Sequence, residues 1–353
     1  MPIPASLLKI LTVIATTTYL GASLANAQPI PKDALAEEDR LAEELSALVQ
    51  AKGTDAGIVF LQKKLGDNPE NEVARFFFST ALLSQGKTKE CAQVVLDGEK
   101  KHVTSDRLLG VLWSCLEEAG DRDGALVVAQ SAVKRFPESG ESHRCLGISF
   151  LYQKRHPEAL EQLRQAFTLD SSDSTSLYMI AQLYRRESQT YQSLLTYLRF
   201  FSLEPYGNRS RKARQQFASL LQSRLDMKPV SGTSVEMSLS LEGEGKTAEG
   251  DFTGALRMIG AQLPNLDPDS DITDLSAAKL EMAIAGALDV LPTRDSVKGP
   301  SFTLDVLVPF FRQASEGQHL AAICQLVVQP DDKWTEDSTE LVRWSLSYKH
   351  ASK

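Results

Sequence analysis

Gly245-Lys246-Thr247 is the most suggestive chemical triplet in the chain, because a lysine and a threonine behind a glycine can hold a nucleotide's phosphates and its Mg²⁺. The glycine such a loop needs five residues before Gly245 is Ser240, and no apolar strand and helix clearly flank the segment. A metal centre would draw on His102, His143, His156, His319 and His350, none of which falls in H-E-x-x-H or at a spacing that puts two ligands on one helix face. Asp267, Asp269, Asp271 and Asp274 offer carboxylates to Ca²⁺ but lack the glycine and terminal glutamate of an EF-hand loop, and read as a solvated loop with helix caps. Neither G-x-S-x-G nor C-x-x-C occurs. No catalytic, cofactor or metal set is expected, although a triad assembled in space would leave no such trace.

What the chain has is a period. Windows 38–71, 72–105, 106–139, 140–173 and 174–207 align without gaps at 34 residues. The seventh position reads Glu44, Phe78, Leu112, Leu146, Ile180, and the eleventh Leu48, Leu82, Leu116, Phe150, Tyr184. The eighth, Leu45, Ser79, Trp113, Gly147, Ala181, completes one side of a helix with them. The twentieth is small throughout (Gly57, Cys91, Ala125, Ala159, Ser193), as close approach of two antiparallel helices requires. The thirty-second is Pro69, Val103, Pro137, Ser171, Pro205, where proline stops a second helix.

With small residues at positions 8 and 20, an aromatic or leucine at 11 and proline at 32, the pattern resembles the tetratricopeptide repeat. The third and fourth windows match best; the first carries Glu44 at an apolar position, and the second has Gly98 and Val103 where Ala and Pro are usual. The resemblance implies an all-α fold: a right-handed superhelix of about five helix hairpins over 38–207, its concave face lined by the first helix of each. It further implies a groove lined by positions 2, 5, 9, 12 and 13. In this chain these include Arg107, Glu117, Glu118, Arg144, Tyr152, Tyr178, Gln182, Arg185 and Arg186. Lys and Asn are missing from the positions that grip chaperone tails, where position 5 reads Ala42, Phe76, Gly110, Arg144, Tyr178.

Residues 1–27 read as a signal peptide, with Lys9, an apolar stretch and Ala25-Asn26-Ala27 as the cleavage site, followed by a lead-in at 28–37. Export is therefore expected: periplasmic in a Gram-negative source and secreted otherwise, with no transmembrane segment in the mature chain. The formal net charge is −8. Residues 28–228 balance 27 basic against 27 acidic side chains, so the acidic excess lies in 229–353. Within 185–228, Arg185, Arg186, Arg199, Arg209, Arg211, Lys212, Arg214, Arg224 and Lys228 read as a solvated basic face, or as one that attracts an acidic partner. An acidic exported chain without basic-aromatic interleaving argues against nucleic acid. Asn208-Arg209-Ser210 is a glycosylation sequon, relevant in a eukaryotic source.

Of four cysteines, Cys115 and Cys145 occupy the first helices of adjacent repeats and are the expected disulfide, the alternative being that they are small buried apolar residues. After the repeats, 208–228 reads as a capping helix, and Pro229 and Gly232 mark a linker. A mostly helical domain is expected over 233–353, with 234–241 a strand or a short helix and a Pro309 kink in 302–315. Leu304 to Phe311, followed by Gly317-Gln318-His319 and Trp344, is similar to C-terminal regions of bacterial repeat proteins and carries no assigned chemistry. The leading expectation is a non-catalytic adaptor that holds a protein or acidic peptide in the repeat groove. The rivals are an enzyme or small-molecule binder in 233–353 to which the repeats recruit substrate, and a self-associating structural protein.

Overall fold

The computed structural model describes residues 32–222, 225–230, 234–239, 246–247, 249–262, 276–328 and 336–348. The leader at 1–27, Gly245, the aspartate cluster at 267–274 and His350 lie outside these residues. The described residues are helical apart from two short antiparallel strand pairs. Hairpins pair α1 (Lys32–Lys52) with α2 (Thr54–Asp67), α3 (Glu72–Ser84) with α4 (Thr88–Glu99), and α5 (Asp106–Glu118) with α6 (Arg122–Arg135). Two more pair α7 (Gly140–Tyr152) with α8 (His156–Leu169), and α9 (Ser174–Arg186) with α10 (Thr190–Leu203). From α3 onward each first helix starts 34 residues after the last, and so does each second helix from α2 onward. Helix α1 begins inside the expected lead-in.

Two positions set this step. The last residue of a window caps the next first helix: Asn71, Ser105, Ser139 and Asp173 accept hydrogen bonds from the amides of Ala74, Leu108, Ser142 and both Thr175 and Ser176. The fifteenth residue turns the chain in a left-handed conformation at Gly86, Gly120, Lys154 and Ser188, with φ of 72°, 82°, 60° and 57°. Between these punctuation points the helices pack closely. A Cβ on Gly147 would stand 2.8 Å from Leu163 Cγ.

The second hairpin departs from the pattern for a physical reason. Arg75, 2% exposed, donates to the carbonyls of Val94 and Pro69 at 2.5 Å each, and its side chain fills the space beside α4. A Cβ at Gly98 would lie 2.6 Å from Arg75 Cδ and Nε, so glycine stands where the repeat usually has alanine. His143, at the same window position as Arg75, reaches the Pro137 carbonyl at 2.9 Å and Gln162 at 2.7 Å.

The disulfide differs from the expected one. Cys115 pairs with Cys91, at a Cα–Cα distance of 6.3 Å, and not with Cys145. Packing of consecutive repeats sets the second helix of one against the first helix of the next, and the sequence comparison of first helices alone passed over α4. Cys145 is buried with its thiol 3.6 Å from Glu141 Oε1. Cys324 is also buried, and burial pushes its thiol up.

The chain divides into compact units at Asp170/Ser171 and not at the expected linker, so the fifth hairpin belongs with everything that follows it. Every residue of α10 from Thr190 to Ser202 is buried, because helices of the C-terminal region enclose it. The remaining elements are α11 (Asn208–Gln222), β1 (Leu225–Val230), β2 (Ser234–Leu239), β3 (Lys246–Thr247) and β4 (Gly250–Asp251). They continue through α12 (Thr253–Gln262), α13 (Ala277–Asp289), α14 (Val308–Glu316), α15 (His319–Val328) and α16 (Glu336–Ser347). The expected capping helix therefore ends early. Strand β1 occupies part of the expected linker and pairs antiparallel with β2, from Leu225 opposite Leu239 to Val230 opposite Ser234. Lys246 and Thr247 pair with Gly250 and Asp251 as strands, where a phosphate loop would need a helix N-terminus.

Arg199, fully buried on α10, sits at the centre of this unit. It donates to the Ser202 and Ser345 hydroxyls and to the carbonyls of Ser171 and Ser345, and its guanidinium lies 4.0 Å from the Phe310 ring centroid. Phe310 in turn packs 5.1 Å from both Trp344 and Tyr348, and His319 stacks on Trp344 at 4.1 Å. Burial lowers the Arg199 guanidinium to about 9, which leaves it cationic at neutral pH. The Phe310, His319 and Trp344 motif seen in the sequence thus builds a core. Pro309 follows a π-turn at Thr303–Leu307 and falls in the first turn of α14, where its missing N–H costs little.

Lys154→Gly should stabilise the protein by about 1 kcal/mol in chemical denaturation, since it relieves a left-handed lysine. Gly98→Ala should cost about 1–3 kcal/mol by overpacking against Arg75, measured the same way.

Candidate functional site

The groove residues implied by the sequence fall in both units, and their surroundings differ. In the first unit most are occupied. Arg107 forks onto Glu38 of α1 with both nitrogen-to-oxygen distances 2.8 Å, and its guanidinium lies 4.0 Å from the Phe76 ring centroid. The two side chains are 30% and 11% exposed, so this pair is largely packed away. Arg144 is ion-paired with Glu141 one turn earlier. Tyr152 is 47% exposed but lies under the Arg122 guanidinium, 4.6 Å from its ring centroid. Glu118 is exposed at the end of α5. Burial raises the carboxyl of its neighbour Glu117, against the opposing pull of Arg122.

In the second unit Tyr178, half-buried on α9, packs on Phe200 at 5.4 Å. Burial pushes its hydroxyl up, with Arg209 and Arg185 opposing the shift and Glu204 adding to it, and the Arg209 guanidinium lies 5.8 Å from the ring centroid. Arg209 is held in place by a fork on Glu204 and by the Thr175 and Ser174 hydroxyls at 3.0 and 2.9 Å. The Tyr197 hydroxyl on α10 donates to Gln216 Oε1 at 2.7 Å and so ties α10 to α11. Gln182 is half-buried on α9, whereas Arg185 and Arg186 are exposed and form no ion pair among the described residues.

Sequence reasoning missed Tyr197 and Gln216, and named Arg209 only as part of the basic run at 185–228. Continuing the 34-residue count one more window would have placed Arg209 at position 2 and Gln216 at position 9 of α11. Of the basic run at 185–228, Arg199 and Arg214 are buried and Arg209 is paired, so only part of it is a solvated face.

The arrangement offers charge and aromatic surface. Among the described residues no three His, Cys, Asp or Glu side chains converge as a metal site would need, and no helix is long and apolar enough to cross a membrane. An open hollow of about 610 Å³ between α6, α7 and α8 has Val133, Leu146, Phe150 and Pro157 in its lining, with Lys134, Glu158 and Glu161 also present.

Arg107→Ala should lower stability in urea unfolding by about 1–2 kcal/mol, because Glu38 would be left poorly solvated without its partner. Glu118→Ala, at an exposed site, should change it by less than about 0.5 kcal/mol.

No family profile and no curated protein matches the chain. Among solved structures it is similar to a thermophilic TPR protein of Thermus thermophilus, at 18% identity over 52% of this chain and 98% of that chain, with a TM-score of 0.42. It is similar to Pseudomonas aeruginosa PilF at 16% identity over 54% and 93%, with a TM-score of 0.40. A third is YrrB, described as a TPR protein with an unusual peptide-binding site, at 16% identity over 51% and 93% and a TM-score of 0.37. The hairpins of this chain, phased at 34 residues with their caps and turns in register, form a tetratricopeptide-type array.

Proposed function

We propose that the protein is an exported, non-catalytic interaction module whose working surface is the face of α9 bearing Tyr178, Gln182, Arg185 and Arg186, and that it holds an acidic segment of a protein partner. The observation that carries this reading is the contrast between arginines. Arg107 and Arg144 are neutralised by Glu38 and Glu141, whereas Arg185 and Arg186 are exposed and lack a carboxylate among the described residues. A tyrosine fixed beside guanidinium groups supplies rigid apolar area next to charge, the combination that dominates binding hot spots. Tyr178 is already ordered by Phe200, so little conformational freedom is lost on binding. Export rests on the leader pattern at 1–27, and a cystine within the repeats is consistent with an oxidising compartment.

Fluorescence titration with Asp/Glu-rich peptides and neutral counterparts tests the site. The acidic peptides should bind with a strong salt dependence. Tyr178→Ala/Arg185→Glu/Arg186→Glu should weaken that binding at least about tenfold, and Arg144→Ala should leave it unchanged. Equal binding of acidic and neutral peptides, or of the triple variant and the parent, would sink the assignment. A sedimentation series over concentration would separately expose self-association.

A further inference from the structure

The Cys91–Cys115 bridge joins α4 of the second hairpin to α5 of the third, so it crosses the seam between successive repeats. Both residues are buried, at 0% and 1% exposure. The hairpin on the amino-terminal side of the seam is locally weak. Gly98 lies within α4, His102 follows it at φ 60°, and the buried Arg75 has its Nε without a hydrogen-bond partner among the described atoms. The third and fourth hairpins match the repeat pattern best, although Gly110, Gly147 and the left-handed Lys154 fall within them.

We propose that this bridge is a redox-controlled staple: oxidised, it keeps the first two hairpins docked on the third, and reduced, it lets residues 32–103 open locally while 106–170 stay folded. Opening would part α1 from α5 and release Arg107 from Glu38. Redox state therefore decides whether Arg107 is a packed strut or an exposed cation beside Phe76. Closing the bridge takes one proton and one electron from each thiol. Both electrons pass to a disulfide-bearing oxidant, such as an oxidoreductase cystine, through a mixed disulfide that the second thiolate displaces. Reduction by a dithiol runs the same exchange backwards. Because both sulfurs are buried, reduction waits on a transient local fluctuation that exposes the bridge, whereas oxidation acts on the open, reduced form.

Alanine replaces either cysteine without misfit, since Ala125 and Ala159 hold the Cys91 position in later windows and Ala81 holds the Cys115 position in the window before. Hydrogen exchange of the full chain would be compared oxidised, dithiol-reduced and as Cys91→Ala/Cys115→Ala. Losing closure of a loop of 24 residues should cost roughly two orders of magnitude in exchange protection across α1–α4. Reduction and the double variant should both produce that loss, with α6–α8 unchanged. Unaltered protection in α1–α4, or an equal fall through α8, would overturn the proposal. So would non-reducing peptide mapping of the folded protein that found Cys91 and Cys115 as thiols or Cys115 joined to Cys145.

Discussion

A left-handed residue fifteen places into each window from the second onward constrains everything else in the array. It reverses the chain after a first helix of 13 residues, seen in α3, α5, α7 and α9, and so fixes where the second helix begins and which of its side chains meet the first. The side-chain cap at the window's end then restarts the count. Glycine takes the turn without cost at Gly86 and Gly120; Lys154 and Ser188 adopt the same conformation because the flanking helices determine it. The small residues at position 20 follow from this geometry, since the reversal brings two backbones together at that point.

The second unit obeys a different constraint. Enclosing α10 on every side turned a repeat helix into the core of a larger helical assembly, and a buried guanidinium occupies its middle. Arg199 is tolerated there because hydroxyls, carbonyls and the Phe310 face together replace its water. Ser345 and Trp344 on α16, Phe310 on α14 and His319 on α15 are consequently arranged around one cation contributed by the fifth hairpin. A second tie is Glu249, which accepts hydrogen bonds from the Tyr184 hydroxyl at 2.6 Å and the Thr303 amide at 2.7 Å. The fifth repeat and the C-terminal helices are one packed object for these reasons.

The repeat array was legible in the sequence because helix packing repeats its demands at fixed intervals, so small and large residues stay in step. The caps Asn71, Ser105, Ser139 and Asp173 were equally regular and would have placed the helix starts to the residue. Elsewhere the necessary information was not periodic. A basic run looks alike whether solvated or buried, and nothing local distinguishes Arg199 from Arg186. The disulfide partner of Cys115 depended on which helices face each other across a seam. In the candidate site, Tyr178, Arg185 and Arg186 followed from the resemblance, but the neutralisation of Arg107 by Glu38 is a contact over 69 residues that no spacing rule encodes.

That last contact bears on how the array holds together as a whole. A repeat protein whose hairpins touch only their neighbours has a stability that is nearly a sum of hairpin and interface terms. Glu38 belongs to the first hairpin, Phe76 to the second and Arg107 to the third, and all three meet at one guanidinium. Here the energy includes a next-nearest-neighbour term, so the contribution of the first hairpin cannot be assigned without reference to the third. Additive descriptions fitted to the middle of the chain will underestimate cooperativity at its amino-terminal end.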